Sequence, residues 1–297
     1  MIYEEFSKVI SKFCELPSEL GKKKTFYGFV WAENSCAFDT ISTILMYSYR
    51  QLCHVVTEQW QSLNNWHLSH FELVSSDNFS SLLLKIDVYK LVQNASKSSV
   101  YNLVQKQFPS GIHQNIDQIF LYLINTLTDK WYKTEHPFFQ LLIQENFAVN
   151  DVHKVHSVDL PLAQNDSAVY HGSVQNIISN KFQTLESSSY QNRPTKPRVT
   201  SYNLIKSPYI LAIKIVNEIT ICPTIKLFNV SYTFFAIVYM NDNHFIAVIK
   251  IGDTLYEYDG LSDEGKFKET EDPCLSDKYK EAKAIMSFYL KDNLSDL

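Results

Sequence analysis

Glycine is scarce in this chain, 7 of 297 residues, where an average protein carries about 7%. Neither GxGxxG nor GxxxxGK followed by Ser or Thr occurs, which excludes the glycine-built phosphate cradles of nucleotide sites. Cysteine is sparse as well. Cys14, Cys36, Cys53, Cys222 and Cys274 are odd in number, widely spaced and without a CxxC pair. That argues against a disulfide framework and against a zinc site of paired thiolates, and for free thiols in a reducing compartment. Positive charge is not in excess: Lys+Arg 27 against Asp+Glu 32 leaves −5, so no nucleic-acid partner is expected. Long hydrophobic runs are missing too. The longest apolar stretches, around 209–216 and 232–240, are too short for a bilayer, so no membrane association is expected. The opening MIYEEFSKVISKF has early acidic residues and no apolar core, unlike a signal peptide. The expected setting is intracellular, nuclear or cytoplasmic.

What is present fits a folded domain. Hydrophobic residues make 45% and charged residues 20%, ordinary for a globular chain. The period of the apolar residues changes along the sequence. Ile2, Phe6, Val9, Ile10 and Phe13 repeat at helical spacing. A long buried helix is expected from Cys36 towards residue 56, with Ile41, Leu45, Ser48 and Leu52 on one stripe and no Pro or Gly to interrupt it. Further helix is expected at 79–93, 98–107 and 114–132. Then four β-rich runs follow, at 209–216, 230–239, 245–251 and, after a Gly252-Asp253 turn, 254–258. Residues 186–200, polar and with two prolines, read as a loop. The expectation is one α+β domain over 1–297, with a helical lobe to about 135 and a β-rich part from about 136. Groups from the two lobes would meet in the cleft between them.

Cys36 stands behind Asn34-Ser35, two good N-cap residues, at the head of the long helix. There the helix dipole and free N–H groups favour a thiolate and can hold an oxyanion. The bland alternative is a small buried hydrophobe, the usual fate of a lone cysteine. His244 begins a strand that turns at Gly252-Asp253 and returns to Asp259. Folding that hairpin lays His244 near Asp259 or Gly260. A carboxylate there could hold the imidazole Nδ1–H and turn Nε2 to a nucleophile; a solvated surface histidine is the alternative. His67 and His70, and likewise His153 and His156, have an i, i+3 spacing, but no third metal ligand accompanies them, and no metal site is expected.

Cys36, His244 and Asp259, in that chain order, resemble the papain-like cysteine peptidases of the ubiquitin-specific class. The likeness is wider than three residues. Asn34-Ser35-Cys36 with Asp39 corresponds to the family's Cys box. Ser207-Pro208-Tyr209-Ile210-Leu211-Ala212-Ile213 and Tyr232-Thr233-Phe234-Phe235-Ala236-Ile237-Val238 correspond to strands before the His box. His244-Phe245-Ile246-Ala247 corresponds to the His box, and Leu255-Tyr256-Glu257-Tyr258-Asp259 to the return. Within the class, the SUMO-isopeptidase-like branch, with similar domains carried by mobile elements, looks closest. Three departures stand out. Trp31 occupies the place of the usual Asn oxyanion donor, leaving Asn34 or backbone N–H groups for that role. Asn243 replaces the usual Gly before the histidine. The CxxC pairs of zinc-bearing fingers are absent, and the stretch His136–Val152 resembles a zinc-free remnant of that region.

The resemblance implies a helical thumb packed against an antiparallel palm. It implies a thiol-dependent hydrolase that cuts after the C-terminal Gly-Gly of ubiquitin or a SUMO-like modifier, whose conjugates would be its partners. Cys36 would be the nucleophile, His244 the base and acid, and Asp259 the orienting carboxylate; no cofactor is implied. Two alternatives remain open: a catalytically inactive module that binds a ubiquitin-like protein, and a transglutaminase-like peptidase, whose Cys-to-His spacing is normally much shorter.

Overall fold

The computed structural model describes residues 26, 28, 36–52, 115–125, 138–147, 153–158, 160–162, 172–182, 199–215, 219–271 and 282–292. The helices expected at 2–14, 79–93 and 98–107 lie outside these residues.

The helix headed by Cys36 forms over Cys36–Gln51 (α1). It is buried on every side described, not on one stripe: Ala37, Ile41, Ile44 and Met46 are as covered as Leu45 and Leu52. An all-round buried helix belongs in a core. Its polar residues Asp39, Thr40, Ser42, Thr43 and Ser48 are inside as well. Ser48 bonds back to the Leu45 carbonyl at 2.7 Å, and Thr40 reaches the sheet, as described below. A second helix, Ile116–Asn125 (α2), packs beside α1 and falls within the expected 114–132.

Two small sheets accompany the main one. Leu141–Phe147 (β1), His153–Val158 (β2) and Val199–Lys206 (β4) make an antiparallel sheet in the order β2-β1-β4. Its central strand falls inside the stretch 136–152. Strand β4 begins at Val199, inside the expected loop 186–200. The two-residue strands Gly172–Ser173 (β3) and Ile219–Thr220 (β6) pair in parallel, and Val174–Lys181 (α3) follows β3 directly.

The main sheet contains Ile210–Lys214 (β5), Val230–Asn241 (β8), His244–Ile251 (β9), Thr254–Tyr258 (β10), Lys268–Glu269 (β11) and Lys283–Lys291 (β12). Their order is β11-β10-β9-β8-β12-β5, with every pairing antiparallel. Thr224–Leu227 (β7) pairs with residues 230–233 of β8, while β9 pairs with residues 236–241. Strands β7 and β9 therefore share one edge of β8 end to end, because β12 lies along its other edge.

Registers explain how the helices seat. Phe288 stands opposite Ala212 and Ala236, Ala236 opposite Ile249, and Ile249 opposite Tyr256. Directly opposed residues share a face. Phe120 of α2 meets Phe288 edge-on at 5.6 Å, and Phe26 meets Tyr256 at 5.1 Å. The two alanines leave room on that face for helix side chains. An ion pair between Lys214 and Asp117 joins β5 to α2. The architecture is mixed α and β with mostly antiparallel sheets. Among the described residues, no helix is long and apolar enough to cross a membrane.

Candidate active site

The histidine arrives through a two-residue turn. Asn241 opposes His244, and the residues between, Asp242 and Asn243, have φ of 46° and 66°. Positive φ at both positions matches the right-handed strand twist of a tight hairpin. Asn and Asp are the side chains that best tolerate it, so Asn243 does in this turn what a glycine would do. His244 is thereby fixed as the first residue of β9. The second turn, Gly252-Asp253, brings the chain back along β9 as far as Tyr258 opposite Ala247.

Past Tyr258 the strand ends and Asp259 turns. Its carboxylate accepts the Leu261 N–H at 2.9 Å, and its carbonyl accepts the Ser262 N–H at 3.1 Å. This local turn aims Oδ1 at His244 Nε2, 2.8 Å away. The other partner of the His244 ring is the Cys36 side chain, through a hydrogen bond. The three residues, one from α1, one from β9 and one after β10, are thus brought together around one imidazole. The ring stands the other way round from the sequence expectation. Nε2 faces the carboxylate, which leaves Nδ1 as the nitrogen for the sulfur, since the two ring nitrogens serve opposite partners.

Electrostatics follow the contacts. The hydrogen bond to Asp259 does most to raise His244 to about 9, and the bond to Cys36 adds to it, against the opposing effect of burial. Burial opposes the charge on Asp259, yet the bonds from the His244 ring and the Leu261 N–H outweigh it and hold the carboxyl below its ordinary value. His244 is therefore an imidazolium at neutral pH, beside a carboxylate. Solvent meets the site mainly through these two: their side chains are 22% and 24% exposed, whereas Cys36 is 3% exposed.

Gly28, which the motif reading did not single out, and Tyr258 of the return strand hold the elements together. A Cβ on Gly28 would lie 2.3 Å from the Tyr258 ring and 2.8 Å from Thr43. The Gly28 N–H bonds the Gly265 carbonyl at 2.8 Å. Tyr258 is fully buried, and it hydrogen-bonds the Thr43 side chain. So Gly28, α1 and the end of β10 touch at one point, immediately before Asp259. A glycine eight positions before Cys36, in a chain with only 7, was the available signal.

Structural comparison finds a chain of the SAGA Ubp8/Sgf11/Sus1/Sgf73 DUB module bound to ubiquitin aldehyde, at TM-score 0.60 and 12% identity, covering 98% of this chain and 74% of that one. A second structure of the SAGA Ubp8/Sgf11/Sus1/Sgf73 DUB module matches at TM-score 0.55 and 11% identity, with 98% and 73% covered. An essential yeast splicing factor matches at TM-score 0.52 and 13% identity, with 90% and 70% covered. No family model and no curated protein matches the sequence. The fold is ubiquitin-protease-like.

Asn34 and Trp31 lie outside the described residues, as do His67 and His70. His153 and His156 are on a strand, where residues three apart point to opposite faces, so they cannot share a metal. His156 instead has Nε2 3.9 Å from Glu145. Cys222 is a half-buried free thiol whose carbonyl accepts the Tyr289 hydroxyl.

Proposed function

We propose that the chain is a cysteine isopeptidase of the deubiquitinase type, cutting after the C-terminal Gly-Gly of ubiquitin or a related modifier. The observation that carries this reading is the Cys36–His244–Asp259 constellation, assembled from three separate elements on a ubiquitin-protease-like fold. The neighbour bound to ubiquitin aldehyde supports a ubiquitin-type substrate. The small β2-β1-β4 sheet stands in for the zinc-bearing fingers, and the SUMO-isopeptidase-like branch is the kin to which the Cys box points.

In this reading Cys36 Sγ, as thiolate paired with the His244 imidazolium, attacks the terminal glycine carbonyl. The oxyanion forms near the N–H groups at the head of α1, with Asn34 as a further donor. The C–N bond breaks as His244 gives its proton to the leaving lysine amine. Water then attacks the thioester while neutral His244 takes one of its protons, the C–S bond breaks to restore the thiolate, and the released Gly-Gly carboxylic acid gives its proton to solvent. Asp259 keeps the ring oriented throughout. Catalysis needs no metal or organic cofactor in this scheme.

The experiment pairs wild type with Cys36→Ala, using a ubiquitin and a SUMO substrate that each carry a fluorogenic group on the terminal Gly-Gly. Wild type turns over one of them, and Cys36→Ala loses turnover while keeping affinity. Undiminished cleavage by Cys36→Ala removes Cys36 from the mechanism. The burial of the sulfur, 3% exposed, favours a second reading, a module that binds the modifier without cutting it. A probe with an electrophile in place of the terminal glycine distinguishes the two: covalent labelling at Cys36 supports the hydrolase, and binding without labelling supports the module.

A further inference from the structure

The hydroxyl of Thr40 donates to the carbonyl of Phe245 at 3.3 Å, across a separation of 205 residues. Both partners are buried, Thr40 at 1% and Phe245 at 6% exposed. Thr40 lies one turn into α1 from Cys36, and Phe245 follows His244. The bond thus joins the nucleophile's helix to the base's strand within one residue of the base.

Sheet geometry shows why this carbonyl is available. In an antiparallel pair, successive residues bond alternately to either side. The hairpin pair Asn241–His244 and the pair Ile251–Thr254 set the alternation for β9. Residues 244, 246 and 248 bond towards β8, and 247, 249 and 251 bond towards β10. Phe245 therefore faces the β10 side. Its partner there by register would be residue 260, but β10 ends at Tyr258, and the chain has turned at Asp259. The Phe245 carbonyl is left without a sheet partner, and a buried carbonyl without one is costly. Thr40 supplies the missing donor.

The other end of α1 repeats the device. Gln51 Nε2 donates to the Lys250 carbonyl at 2.9 Å. Lys250 faces β8, where pairing with β9 stops at Ile249. The eleven residues from Thr40 to Gln51 rise about 16 Å in a helix, and the five from Phe245 to Lys250 extend about 17 Å in a strand. The matched lengths mean that α1 lies along β9, in the same direction, fastened at both ends.

We propose that Thr40 is a positioning residue: through its bond to the Phe245 carbonyl it holds the helix bearing Cys36 in register with the strand bearing His244. This rests on the hydrolase reading of the site. A slip of α1 along β9 would move sulfur and imidazole apart while leaving the modifier's docking surface in place. The effect therefore falls on kcat and not on KM.

The test compares wild type, Thr40→Ser and Thr40→Val by steady-state kinetics on a ubiquitin Gly-Gly fluorogenic substrate and by NMR titration of the His244 ring. Thr40→Ser keeps the hydroxyl and is expected to match wild type within about twofold. Thr40→Val keeps the shape and is expected to lower kcat roughly tenfold at unchanged KM. Its His244 midpoint is expected to fall as the ring parts from the sulfur. Wild-type kcat and an unmoved His244 midpoint in Thr40→Val overturn the proposal. Should Thr40→Val fail to fold, Thr40→Ala and Thr40→Ser differ only by the hydroxyl, and equal kcat and equal His244 midpoints in that pair overturn it too. A wild-type protein that neither cleaves nor is labelled overturns the hydrolase reading instead; the His244 titration still judges Thr40.

Discussion

At the scale of single residues, the protonation of His244 has a measurable signature. The ring loses its proton at about 9, chiefly because Asp259 bonds it. For an imidazolium–thiolate pair, activity should fall on the alkaline side with an apparent midpoint near that value. Asp259→Asn removes the largest upward influence, so the alkaline limb should move down towards the ordinary 6.5. The full pH dependence of kcat/KM for both proteins checks this; superimposable alkaline limbs would remove Asp259 from the role. Stability follows the same signs. A raised histidine stabilises fully below 6.5 and loses its contribution as pH rises through about 9. A lowered carboxyl stabilises above 3.8 and loses its contribution as pH falls through its depressed value. The pair therefore contributes most between 3.8 and 6.5. The sequence marks Cys36 and His244 by the cap and turn residues that precede them, Asn34-Ser35 and Asp242-Asn243, and Asp259 by the hairpin that Gly252-Asp253 folds back along β9. Which imidazole nitrogen serves which partner was not legible, since a one-dimensional pattern carries no ring orientation.

At the scale of elements, the contact of Gly28 with Tyr258 couples the approach to α1 with the end of β10. Gly28→Ala would force a methyl group into the Tyr258 ring. Overpacking of this kind costs about 1–3 kcal/mol, and here the displaced ring precedes Asp259. A lower urea midpoint and a lower kcat are expected together; an unchanged midpoint would show that the contact yields freely. Ser287, buried in β12, has a hydroxyl without a hydrogen-bond partner among the described residues. Ser287→Ala loses no bond and should leave the urea midpoint unchanged or raise it, whereas a clear fall would reveal a partner. Strands β8, β9 and β10 were readable to within a few residues, because turn residues bracket them. Strand β12 went unread. Its core, Ile285-Met286-Ser287-Phe288-Tyr289-Leu290, is an apolar run broken by Ser287 alone and without alternation, the pattern of a strand covered on both faces, which periodicity cannot tell from helix. Strands β1 and β2 went unread because charged and amide residues interrupt them: they form a small, half-exposed sheet where little apolar alternation is needed.

At the scale of the molecule, the main sheet is held by pairing that is remote in sequence. Among the described residues, the one ladder of β5 in the main sheet is with β12, with an isolated bridge to Leu162 on its other side, and it is β12 that joins β5 to β8. A chain ending at residue 282 would lose both ladders together with Phe288 and Tyr289, each fully buried. It should fail to give a cooperative melting transition by circular dichroism; a truncated chain that melts cooperatively would show that the rest of the core suffices. The hairpin carrying His244 and Asp259 is local by comparison, built from two tight turns.

That difference has a consequence for biosynthesis. The hairpin that orients the imidazole can form as soon as residues 230–259 have emerged from the ribosome, but β5, made earlier, must wait for residues 283–291 before it can be joined to β8. Completion of the main sheet therefore comes after the hairpin that carries His244, once residues 283–291 have been made.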